Sequence, residues 1–284
     1  MIKQRKTVVY SPESRIRNPL KLLSEMWQDL LASRELAWRL LVRDISAQYR
    51  QSLLGVVWAF FPPIVTALGL VVAKNAGAVN IGATDIPYPA YVMFSMSLWQ
   101  TFVEALNGPL AAVGAAKPML AKIKFPREAI ILAKLGEVFF NFGIKLILII
   151  GLFLWFKISI TWNAVLAFVA LIHLIVLGTG IGLLLAPFGG LYGDVGRLIP
   201  LAVTPWLLLT PVIYPVPKQG WFSIVVNWNP VTPLLVTIRD LATTGVLSNP
   251  SGFWVVSVLS FALLFVAWIL YRLSMPLIIE RMSS

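Results

Sequence analysis

Four polar residues interrupt an otherwise apolar run in this chain: Lys134, Glu137, Asn141 and Lys145. Spacings of 3, 4 and 4 residues put them on one face of a helix. A charged stripe inside a membrane span is expensive against lipid, so it must face another helix, a cavity or water. Glu104, in the preceding apolar run, is the expected partner of Lys134, with Glu137 completing a neutralised group. Lys145 lies deeper and is the residue expected to meet an anionic sugar or a lipid phosphate. His173 stands in another apolar run with no acid or second histidine at ligand spacing, and reads as a packing residue. No metal ligand set is expected. The absence of cysteine removes disulfides, zinc thiolates and thiol nucleophiles. No Gly-x4-Gly-Lys-Ser/Thr pattern occurs, so the chain lacks the usual cradle for nucleotide phosphates.

The elements that must hold these residues are membrane spans. The chain has 284 residues, 58% hydrophobic and only 12% charged, where a water-soluble domain carries about 25% charged residues. Apolar runs at about 53–73, 89–108, 130–156, 163–186, 198–214 and 253–272 are each near the ~20 residues that cross a bilayer. The fold class expected is therefore all-α, a polytopic protein with six transmembrane helices. Of the 23 lysines and arginines, Lys74, Lys157, Lys218 and Arg239 fall in loops on one side, and Lys134 and Lys145 fall within a span. All the others fall on the opposite side, so the positive-inside rule places both termini in the cytoplasm. The net charge of +11 is distributed as a topology signal and does not point to nucleic acid. The 11 tryptophans suit the headgroup level. Met1–Arg17 is too polar for a cleavable leader, and no internal repeat is found.

Around the spans the sequence divides into a tail at 1–52, the six-span domain at 53–272 and a short tail at 273–284. Asn18-Pro19 reads as a helix cap followed by proline in the first turn. Leu20, Leu23, Trp27 and Leu30 then recur at helical spacing, predicting an amphipathic interface helix over 20–32 that lies on the bilayer and offers a polar face to a partner. A more basic helix over about 34–50 leads into the first span. Pro62-Pro63 is expected to kink that span, and Pro200, Pro205 and Pro211 to interrupt the fifth. Gly178, Gly180 and Gly182 are expected to let helices approach closely. The stretch 216–250 holds too many helix breakers to be a span.

Four segments carry a family likeness. They are Gln48–Pro63, the basic Lys122–Glu128 ending on Phe125-Pro126, Pro211–Pro215, and Trp228–Pro233 with Arg239-Asp240 beyond. In these, along nearly the whole chain, the protein resembles the permease subunits of ABC-2-type exporters. It looks most like the branch exporting capsular polysaccharide, O-antigen or teichoic acid. One departure is Gly193-Asp194 where the family often has Arg-Asp, with Arg197 as a nearby substitute for that arginine.

The resemblance implies a transport subunit and not an enzyme, set in the cytoplasmic (inner) membrane. Two copies would assemble with two ATPase subunits that bind ATP and Mg, this chain holding no cofactor of its own. Lipid-linked polysaccharide would be the substrate, with membrane lipid around it and periplasmic export proteins as further partners. The amphipathic helix with Trp27 and a coupling helix at about 115–127, with Lys122, Lys124, Phe125, Pro126, Arg127 and Glu128, would contact the ATPase. The outer stretch 216–250, with Trp221, Phe222 and Trp228, would form gate helices that re-enter the membrane. Trp58, Phe60, Phe61, Lys145, Trp206 and Tyr214 would line a substrate conduit, where aromatic faces let a sugar chain slide without a deep trap. ATP-driven closure of the ATPases would move spans 1 and 5. The alternatives are an ABC-2 exporter of a drug or lipid, and an integral-membrane enzyme of envelope glycan assembly, for which Glu137 and His173 are the available groups.

Overall fold

The computed structural model describes residues 19–50, 55–79, 81–122 and 125–283. Among them the chain is all helical. Helices α1 (Pro19–Ala32) and α2 (Arg34–Arg50) are followed by a 3-10 turn at Gly55–Ala59 and by α3 (Phe61–Asn75). Then come α4 (Tyr88–Lys122), α5 (Glu128–Trp155), α6 (Ala164–Leu191), α7 (Val195–Leu208), α8 (Trp221–Trp228), α9 (Val231–Thr243) and α10 (Pro250–Ser283).

Among the described residues, α5, α6 and the Pro250–Pro276 part of α10 are individually long and apolar enough to cross a membrane. α8 and α9 meet that test together but are bent by 83° at their junction, as a broken span or a re-entrant loop would be. α3 and α7 are apolar but shorter. Among the described residues α4 is the longest helix, at 35 residues, yet it is not one of those that meet this test.

Several elements differ from expectation. In the stretch expected as a coupling helix, about 115–127, residues up to Lys122 continue α4, residues 123 and 124 lie outside the described residues, and α5 starts at Glu128. The prolines at 62 and 63 do not kink a span. They occupy the first turn of α3, where a missing backbone donor costs nothing because those amides have no intrahelical partner. The residues after 272, for which no secondary structure was expected, continue α10 through Pro276 to Ser283. The amphipathic helix turns a different side inward: Leu22 and Met26 are buried, whereas Leu20, Leu23 and Trp27 face outward. Both sides of that helix carry apolar residues, so periodicity alone picked the wider stripe and tertiary packing used the other.

The packing centre is formed by α4, α6 and α10, with α5 and α9 against them. Glycines set the closeness of the seam. A methyl at Gly178 would sit 2.7 Å from the Phe102 carbonyl oxygen, and one at Gly182 would overlap the Leu106 carbonyl, so both lie against the α4 backbone. Gly180, on another side of the helix, meets the α10 backbone at Leu264. Close approach at these three glycines is thus realised against two helices. Two core clusters result. One gathers α4, α5, α6 and α9 around Phe94, Phe102, Leu174 and Leu234; the other lies at the basic end around Leu40, Val113, Ile130, Ala186, Tyr271 and Met275.

Candidate coupling face and export path

At the basic end, α1, the start of α5 and the foot of α10 meet. Phe125, Pro126 and Arg127 are half-buried and Glu128 is buried. Lys124 and the side chain of Lys122 lie outside the described residues. The Tyr271 hydroxyl donates to the Arg127 carbonyl at 3.3 Å. Next to it on α10, Arg272 donates to Glu128 Oε1 at 2.9 Å and pairs with Asp29 Oδ2 at 2.6 Å. Glu25 and Asp29, which belong to the polar face of α1, therefore turn in toward α10. Trp27 projects away from that contact and is exposed.

The polar stripe of α5 is on one face, as its spacing requires, but its pairing differs from expectation. Glu104 binds Lys145 at 2.6 Å, not Lys134. Lys134 instead pairs with Glu137 at 2.5 Å and with Asp44 of α2 at 3.4 Å. Helical spacing fixes a face but not the relative height of two neighbouring helices, and that height decides which lysine reaches Glu104. Lys145 is 1% exposed and also donates to Thr101 at 3.3 Å. Its ammonium is thus already engaged by α4. Asn141 donates to Glu104 at 3.4 Å and accepts from the Tyr49 hydroxyl of α2 at 3.2 Å. Burial first, then the charges of Glu104 and Glu137, push the Tyr49 phenol above its ordinary range, so it stays a donor. The stripe thereby ties α2, α4 and α5 together.

At the other end two of the quoted segments converge. The backbone of Pro211–Tyr214 is clasped from two sides. Tyr88 and Tyr91 of α4 donate to the carbonyls of Ile213, at 3.1 Å, and Tyr214, at 2.8 Å. Arg239 of α9 donates to the Pro211 carbonyl at 3.2 Å and to Ser95 at 3.3 Å, with its guanidinium 4.3 Å from the centre of the Tyr91 ring. Arg239 was read from the sequence as a loop cation. It is buried instead, and cation–π and carbonyl contacts replace the water it would have in a loop. Its neighbour Asp240 accepts the backbone amide of Ser248 at 2.9 Å, closing the turn after α9. Neither residue was singled out beyond the motif. The signal available was an Arg-Asp pair inside a stretch with few other charges.

Asn229 is the pivot between α8 and α9. Its amide donates to Thr210 Oγ1 at 2.8 Å and to the Leu209 carbonyl at 3.2 Å. Its carbonyl oxygen accepts from the Trp206 indole and from the Val231 amide, each at 3.0 Å. Beside it lies an open, mainly apolar groove of about 590 Å³ lined by Trp206, Leu209, Ile224, Val225, Trp228 and Pro230. Trp206 also packs edge-on to Phe102 at 5.3 Å, and Tyr214 lies 5.5 Å from Phe222. Trp221 and Trp228 are 75% and 84% exposed. The structure thus gathers Trp206, Tyr214, Trp221, Phe222 and Trp228. Trp58, Phe60 and Phe61 stand apart within one chain: the 3-10 turn packs on α2, α3 and α5, with Trp58 and Phe61 edge-to-face at 5.4 Å and both about half exposed. His173 bonds the Val169 carbonyl at 2.9 Å through Nδ1 and packs against Phe253 and Phe261, as a packing histidine does.

Comparison with known proteins places this arrangement. Residues 35–242 match the ABC-2 type transporter family. Among curated proteins, the O-antigen export system permease protein RfbA of Myxococcus xanthus is 24% identical over 226 residues, covering 78% of this chain and 84% of that one. RfbA of Klebsiella pneumoniae is 22% identical over 212 residues, covering 72% and 79%. The polysialic acid transport protein KpsM of Escherichia coli is 22% identical over 247 residues, covering 82% and 91%. The chain belongs to the ABC-2 type transporter family, and it is an integral membrane protein.

Proposed function

We propose that this chain is the permease half of an ATP-driven exporter that moves lipid-linked polysaccharide across the cytoplasmic membrane. The observation that carries the reading is that relatives matched over most of both chains are named for O-antigen export and polysialic acid transport. A drug or lipid exporter and a membrane enzyme find no counterpart among those names.

On this reading the 3-10 turn with α3, then α4, α5, α6, α7 and α10 make six crossings, and α8 and α9 enter and leave on the outer side. Both termini are cytoplasmic. Two copies face each other through α3 and α7, whose outward sides carry Val65, Leu68, Val72, Leu198 and Leu201 exposed to no protein partner in a single chain. The passage forms between the copies, which brings Trp58, Phe60 and Phe61 of one toward Trp206 and Tyr214 of the other. Lys145 reaches a passing anion only when its bond to Glu104 opens. Trp221, Phe222 and Trp228 form the outer gate. Two ATPase subunits, which bind ATP and Mg, press on Lys122, Lys124, Phe125, Pro126 and Arg127 and on α1 with Trp27; Glu128, expected in that contact, instead braces the segment from inside through Arg272. Periplasmic proteins would receive the polymer outside.

Co-purification with a nucleotide-hydrolysing subunit, followed by reconstitution in proteoliposomes, tests this. Loss of the chain should leave lipid-linked polymer inside the cell, and Phe125→Asp should leave the partner hydrolysing ATP while export falls at least about tenfold, a loss of ~1.4 kcal/mol in coupling. Normal export by that variant would remove the coupling assignment. Turnover of a lipid-linked sugar by the isolated chain would replace the transporter reading with the enzyme one.

A further inference from the structure

Arg272 is one of the cations that flank the apolar runs. It sits near the foot of α10 with its side chain only 9% exposed. Three carboxylates converge on its guanidinium: Glu128 at 2.9 Å, Asp29 at 2.6 Å and Glu25 at 3.8 Å. Two belong to α1 and one to the first residue of α5, about a hundred positions away in sequence. One positive charge thus holds three negative ones, and the planar fork of arginine can face two directions at once where a lysine cannot. Without it, Glu25 and Asp29 on one side and Glu128 on the other would repel across a partly buried gap. Tyr271 adds a second tie on the same helix, through the Arg127 carbonyl at 3.3 Å.

We propose that Arg272 is a positioning residue that locks α1 and the Phe125–Glu128 segment to the last span, so that the two faces pressed by the ATPase move as one body. The role rests on the exporter reading for what the movement accomplishes, but the lock itself does not depend on it. A push on either element reaches α10 directly. The Glu25 and Asp29 side chains bring α1 into the lock, while Trp27 on its other side stays available outside.

Hydrogen exchange on the purified permease–ATPase complex tests the lock without any transport measurement. In Arg272→Gln, the amides of α1 and of the residues from Phe125 to the first turn of α5 should exchange faster together, by at least about tenfold, while those of α6 stay unchanged. Arg272→Lys should fall between the two. Adding Glu128→Gln to Arg272→Gln, which removes the buried carboxylate left without its partner, should recover part of the protection at the α5 end, a rescue that a merely space-filling role would not produce. In proteoliposomes, Arg272→Gln should keep basal ATP hydrolysis within about twofold and lose export at least tenfold. If Arg272→Gln fails to assemble, Glu25→Gln with Asp29→Asn removes the α1 half alone and should loosen α1 while sparing the α5 end. Unchanged exchange in Arg272→Gln, or loosening of only one of the two elements, overturns the proposal. A wild-type complex that shows joint protection of both elements but exports no polysaccharide would overturn the exporter reading and leave the lock standing.

Discussion

α8 and α9 are neighbours in sequence, both short and both rich in apolar residues, yet they live in opposite surroundings. Every residue of α9 is buried, whereas α8 buries only Val226 and presents two tryptophans outward. The difference is not one of hydrophobicity, since α9 carries Arg239 and Asp240 and is the more polar helix. It arises from partners. Tyr91, Ser95 and the Pro211 carbonyl receive the α9 arginine, and α6 packs along the helix. α8 is held mainly at its ends, by Asn229 on one side and by Gly220 on the other, whose φ of +88° suits glycine alone. One half of the bent pair is an anchor, and the other is a lever carried on it.

Changing Arg239 to alanine should have the largest effect, because it removes charge-assisted bonds and a desolvated cation–π contact at one stroke. A loss of about 3–5 kcal/mol is expected, read as a fall in the melting temperature of the detergent-purified protein; an unchanged melting temperature would mean that α9 is held by apolar packing alone. Asn229→Ala should come next, at about 2–3 kcal/mol, since two carbonyl-side and two amide-side bonds are lost from a buried pivot. It should also broaden the distance between spin labels placed on α8 and α9, which the cysteine-free sequence makes simple to introduce. Trp228→Ala should be smallest in stability, under about 0.5 kcal/mol for an exposed side chain, yet should reduce export several-fold. If its stability fell as far as that of Asn229→Ala, the lever would be an anchor too and the contrast would disappear.

Much of this architecture is readable in the residues. Apolar runs locate the helices, the breakers in 216–250 agree with a helix pair bent by 83° in that stretch, and the 3, 4, 4 spacing puts Lys134 to Lys145 on one face. The glycines of α6 announce tight contact. What the residues did not disclose depends on relative placement. Arg239 and Arg272 look like any cations flanking apolar runs, and only the fold shows that each is swallowed by its neighbours. Glu104 has two lysines within reach by spacing, and the height of α4 against α5 makes the choice. In α1, apolar residues lie on both sides, and the side that turns inward with Leu22 and Met26 also carries Glu25 and Asp29, whose partner Arg272 is some 240 positions away.

The glycine seam of α6 carries a last consequence. Where backbones touch, there is no slack to spread and no side chain to repack, so α4, α6 and α10 behave as a rigid bulkhead. Any aperture wide enough for a polymer must then open along the outer rim, where α3, α7 and α8 have only loosely filled flanks, and strengthening that rim should jam the passage while thickening the bulkhead should merely break the hull.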